Sequence, residues 1–65
     1  YTRLQKLDEL LKAVYGDNSN PTRTSFKNKW RNPKWAGHKY IRKQGTGSGT
    51  RYQYLKTMKN RIKNL

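Results

Sequence analysis

Few side chains in this sequence can move a proton or hold a metal. The acids are Asp8, Glu9 and Asp17, the one histidine is His38, and 65 residues contain no cysteine. General acid–base catalysis needs two titratable groups converging on one substrate. Asp8 and Glu9 are neighbours on what reads as a helix, so their side chains diverge. His38 stands at the start of a β-prone run, where it suits a polar strand position or a phosphate contact. Without cysteine there is neither a thiolate nucleophile nor a Cys-based zinc site, and one histidine cannot make a metal site alone. The run Gly45-Thr46-Gly47-Ser48-Gly49 has the glycine density of a phosphate-cradling loop. A P-loop, however, needs Gly-Lys-Ser/Thr opening a helix, and here Gly49 leads into Thr50-Arg51 and a β-prone stretch. The chain therefore reads as non-enzymatic, with no metal and no cofactor.

Positive charge, in contrast, is abundant. The net charge is +13, and all three acids lie in the first 17 residues, beside Arg3, Lys6 and Lys12. Residues 18–65 carry the other 13 bases and no acid. Such a stretch gains no internal salt bridge and repels itself on folding, a cost that a polyanionic partner offsets. Bases spread over several segments reach several phosphates at once, so nucleic acid is the expected partner. No apolar run has the length of a membrane span or a signal-peptide core, and no membrane partner is expected.

The elements that position these bases follow from spacing. Residues 2–15 read as an amphipathic helix, with Leu4, Leu7, Leu11 and Val14 as its stripe, Leu10 and Tyr15 widening it, Thr2 as N-cap and Gly16 at its end. Residues 22–32 read as a second helix, capped by Ser19 or Asn20, with Pro21 at its first position and Phe26 and Trp30 on its buried face. Asn32-Pro33 ends it. His38–Lys43 and Thr50–Leu55 read as strands flanking a glycine-rich tip, a two-stranded hairpin. Residues 55–65 read as a last helix on Leu55, Met58, Ile62 and Leu65. The expected core is Leu4, Leu7, Leu11, Val14, Phe26, Trp30, Ile41, Tyr52, Leu55, Met58 and Ile62.

That order predicts an α+β fold: a small winged helix-turn-helix of helix, recognition helix, two-stranded wing and C-terminal helix, occupying residues 1–65 as one domain. The helix at 2–15 would be the second of the usual three, with residues 55–65 packing where the first normally lies. Opening on Tyr1, the chain reads as an excised domain of a longer protein. The expected partner is double-stranded DNA. Contacts are assigned to Asn20, Thr22, Arg23, Thr24, Ser25 and Lys27 from the second helix, and to Lys39, Arg42, Lys43, Gln44 and Arg51 from the hairpin. A slim basic tip suits the narrow minor groove of A·T-rich DNA.

Four features carry a more specific likeness: Leu4-Gln5-Lys6 in the first helix, the Pro21-to-Phe26 start of the second, its Asn32-Pro33 exit, and Tyr40-Ile41 in the first wing strand. In these, over residues 4–41, the chain resembles the DNA-binding domain of the Rok-type nucleoid proteins of Bacillus. The resemblance implies the C-terminal winged helix of a xenogeneic silencer on the bacterial nucleoid, reading A·T-rich DNA through the minor groove in a longer protein that oligomerises through an N-terminal segment. It implies contacts at Thr22 and Thr24 and at a wing base, for which Lys39 is the nearest. Thr22 stands where that pattern has Asn, and GTGSGTRYQYL and the last helix are additions. The competing readings are an RNA-binding or ribosome-associated module stacking bases on Tyr1, Trp35 and Tyr40, a sequence-specific phage or plasmid repressor domain, and a module for an acidic protein or a membrane surface.

Overall fold

A computed structural model describes residues 1–65. The chain is a small α+β domain of three helices and a two-stranded antiparallel sheet. Helix α1 spans Leu7–Tyr15 and α2 spans Asn20–Arg31; β1 (Ile41–Gln44) and β2 (Arg51–Tyr54) form the hairpin, and α3 (Lys59–Lys63) closes the chain. In the hairpin Ile41 opposes Tyr54, Arg42 opposes Gln53, Lys43 opposes Tyr52 and Gln44 opposes Arg51. Helix α1 packs against α2, α3 and β2.

Eight residues form the core: Leu10, Leu11, Val14, Phe26, Ile41, Tyr52, Tyr54 and Ile62. Aromatic rings supply much of its bulk. Phe26 stacks on Trp30 at 5.8 Å and meets Trp35, Tyr52 and Tyr15 edge-on. Such pairs add about 0.5–1.5 kcal/mol each beyond the area they bury, which matters in a chain with so few aliphatic residues. Leu7, Trp30 and Met58, expected inside, are half-buried and pack on this cluster. Leu55 is also only half-buried.

The first helix is shorter than its apolar spacing predicts. Thr2 to Gln5 run alongside β2 instead: the Thr2 N–H donates to the Tyr54 carbonyl at 2.9 Å, and Gln5 and Tyr52 exchange both backbone hydrogen bonds at 2.8 and 2.7 Å. These bonds occupy an edge of β2 that would otherwise be bare. Thr2 is therefore not an N-cap; its hydroxyl accepts from the Tyr54 N–H and from the Gln5 side chain. Leu4, removed from the helical stripe, is 40% exposed, and Gln5 is buried.

Two other boundaries shift. His38 and Lys39 belong to a 3₁₀ turn, Ala36–Lys39, not to β1. The Trp35 ring folds over Gly37 so closely that a Cβ there would lie 2.5 Å from it, and this contact holds the turn. The last helix is broken, because Leu55 still donates to the Tyr40 carbonyl at 2.9 Å and a 3₁₀ turn, Lys56–Met58, intervenes before α3. The second helix comes close to expectation: Ser19 is its N-cap, Pro21 its second residue, and Asn32 lies just beyond its end.

Candidate nucleic-acid interface

Rotation of 100° per residue divides α2 into faces. Phe26 and Trp30 turn toward the core; Arg23 and Lys27 fall on one flank, Thr22, Ser25 and Lys29 on the other. Thr24 and Asn28 lie opposite the core, and both are exposed. The Arg23–Lys27 flank faces the hairpin across a groove of about 510 Å³. Lys6 of the N-terminal segment, Arg23 and Lys27 of α2, and Lys43 and Arg51 of the hairpin bring five cations to it. One carboxylate, Asp8, lines the same groove, paired with Arg23.

Strand alternation separates Lys43 from Arg42, whereas Arg51, on the outer face by register, reaches the groove from beside the tip. Lys43 shares its face with Ile41 and, across the register, with Tyr52, so it extends over the core-facing side toward α2. Beyond Lys27 and Lys43 the groove continues into a shallow recess that includes Phe26, Trp30, Tyr52 and Arg31. Arg42 lies on the opposite face, where its guanidinium covers the Tyr1 ring at 4.3 Å. Gln44 is exposed on that same outer face, and Lys39 is exposed on the 3₁₀ turn before the strand. Neither lines the groove. Of the eleven residues assigned from sequence, Arg23, Lys27, Lys43 and Arg51 line it together.

Arg51 is turned back upon the hairpin. Its guanidinium donates to the Thr50 carbonyl at 2.8 Å and the Ser48 carbonyl at 3.1 Å, bracing the tip with a fixed charge. The tip itself is slim and wholly exposed from Gly45 to Gly49. Gly45 has φ +82°, and a Cβ there would stand 2.5 Å from the Gly49 carbonyl oxygen. No residue but glycine fits that position without strain.

Local chemistry also fixes the start of α2. Asn20 is exposed in its first turn, and the Ser19 and Thr22 hydroxyls both donate to the Asp17 carboxylate. Those bonds, Ser19 first, hold the Asp17 carboxyl below its ordinary pKa. With Arg3–Glu9 at 2.9 Å and Arg23–Asp8, every acid in the chain has a partner inside the domain. The His38 Nε2 lies 3.1 Å from the Asn32 carbonyl, and the ring sits 4.4 Å from Trp30 and 5.7 Å from Trp35, so the side chain ties the end of α2 to the 3₁₀ turn. Only a protonated ring nitrogen can bond a carbonyl, so Nε2 is the donor.

Sequence reading missed Lys6 and Asp8 as groove residues. It assigned both to a helix whose first turn turns out to be an extended segment passing β2. No family model, curated protein or solved structure matches the chain. No helix is long and apolar enough to cross a membrane.

Proposed function

We propose that this domain binds double-stranded DNA as a winged helix, with α2 as recognition helix and the β1–β2 hairpin as wing. The observation that carries this reading is the groove between them, where five cations meet one internally paired carboxylate. Phosphate contacts of this kind supply most non-specific affinity and a large share of specific affinity. The packing of α1 on both α2 and α3 supports the arrangement, since α3 then stands where a winged helix normally has its first helix. The bare glycine tip, with Lys43 at its base, favours A·T-rich DNA, whose narrow minor groove attracts cations and admits a slim element. The role implied by the Rok-type resemblance, a DNA-binding domain of a nucleoid-associated silencer, is proposed on the same footing.

The RNA alternative needs exposed rings for stacking. Trp35 and Tyr40 instead pack on the core, which leaves Tyr1, 49% exposed with the Arg42 guanidinium over one face, as the one candidate ring in solvent. Fluorescence anisotropy with an A·T-rich duplex, a G·C-rich duplex and a single-stranded RNA tests the proposal. The A·T-rich duplex should bind most tightly, with affinity falling steeply as salt rises. Tighter binding to the RNA, or affinity indifferent to salt, would refute it.

A further inference from the structure

Only one flank of α2 faces the hairpin. On the other, a depression of about 320 Å³ lies between α2 and α3. Lys29 of α2 and Lys63 of α3 both line it, with Ser25 and Thr22 alongside; the Thr22 hydroxyl is given to Asp17, whose carboxylate adjoins the depression without lining it. Lys29 is placed over the Tyr15 ring, 5.8 Å from its centroid. Tyr15 lines the same depression, and its hydroxyl is buried without a hydrogen-bond partner. Neither lysine is neutralised within the domain, whose ion pairs are Arg3–Glu9 and Arg23–Asp8.

The major groove of a duplex is about 12 Å wide, with a row of phosphates on each wall. A helix with its side chains is about 10–12 Å across, so one lying in that groove meets a different strand on each flank. Helix α2 has this distribution: cations on both flanks, and the uncharged Thr24 and Asn28 between them, pointing away from the core. A helix lying against one strand alone would use only the hairpin flank. We propose that the depression between α2 and α3 is a second phosphate-binding site, formed by Lys29 and Lys63, which holds the strand opposite the one seated in the hairpin groove. The inference rests on the duplex reading above. It adds that α2 enters the major groove and that α3 contacts DNA.

The test is anisotropy with a labelled A·T-rich duplex over a range of salt, on wild type, Lys29→Gln, Lys63→Gln and the double variant. Lys27→Gln and Lys43→Gln report on the hairpin groove, and Lys12→Gln, exposed on α1, reports on bulk charge. Each of K29Q and K63Q should weaken binding by about fivefold at ~100 mM salt and flatten the log–log salt dependence by about one unit. K12Q should change affinity less than twofold, by roughly the same reasoning. Lys63→Arg keeps the charge and should bind as wild type does. Ethylation interference should mark phosphates on both strands in wild type and lose those of one strand in the double variant. Wild-type affinity and slope in K29Q/K63Q, or a loss no larger than that of K12Q, overturns the second site; the duplex reading survives if K27Q and K43Q still weaken binding. Unchanged binding in all these variants overturns both.

Discussion

Asp8 is the one carboxylate in a groove to which five cations are brought, and it holds Arg23 there. Both side chains are well hydrated, 56% and 30% exposed, so the pair contributes at most about 1 kcal/mol to stability. Its larger effect is on the ligand, since a phosphate entering the groove meets a repelling charge and a guanidinium already engaged. Asp8→Asn should leave the melting temperature nearly unchanged and tighten duplex binding roughly threefold to tenfold, as expected for one more available cation; weaker binding in that variant would show that Asp8 positions Arg23 productively. Asp17 acts on stability. Its folded pKa is lowered by the Ser19 and Thr22 hydroxyls, so it stabilises the fold above the unfolded aspartate value of about 3.9 and ceases to as the pH falls through its lower folded value. Asp17→Asn should therefore melt below wild type at neutral pH, and the difference should shrink as the pH falls below the ordinary aspartate range.

Among the elements, α2 was the most legible. Ser19, Pro21, the Phe26–Trp30 spacing and Asn32-Pro33 are local signals, and the element they define is local too. The hairpin was legible for the same reason, from tyrosines alternating with polar residues and a glycine-rich connection. Which of its bases meet α2 was less legible, because Arg42 and Lys43 look alike in sequence and only the register separates their faces. Thr2 to Gln5 misled, since Leu4 continues the 3–4 spacing of α1 while the edge of β2 claims the backbone. Lys63 could not be foreseen at all, because its place depends on how a five-residue helix docks after an irregular turn. The wing also makes a prediction of its own. Gly45→Ala forces a Cβ against the Gly49 carbonyl at positive φ, and should destabilise the domain by about 1–2 kcal/mol. Thermal melts would show this, and binding should weaken with it as the tip that Arg51 braces is displaced.

At the scale of the whole molecule, a net charge of +13 sits on a body of 27 × 25 × 24 Å. The screening length at ~0.1 M salt is about 10 Å, so charges on the two flanks of α2 repel one another only weakly, and on the proposed reading both would act on the same duplex. With the five groove cations and the lysine pair all engaged, the log of affinity against the log of salt should have a slope of about −6. A slope shallower than about −2 would mean that most of these cations stay in water when DNA is bound.

The pairing of Thr2 and Gln5 with β2 has a consequence in time. These bonds join residues some 50 positions apart, Thr2 to Tyr54 and Gln5 to Tyr52, whereas both long helices and the hairpin close locally. Contacts so distant along the chain carry the largest loop-closure entropy and slow folding. On a ribosome Thr2 and Gln5 emerge well before the β2 residues they pair with, nearly a whole domain ahead. The helices and hairpin can form first, and the N-terminal segment completes the sheet last.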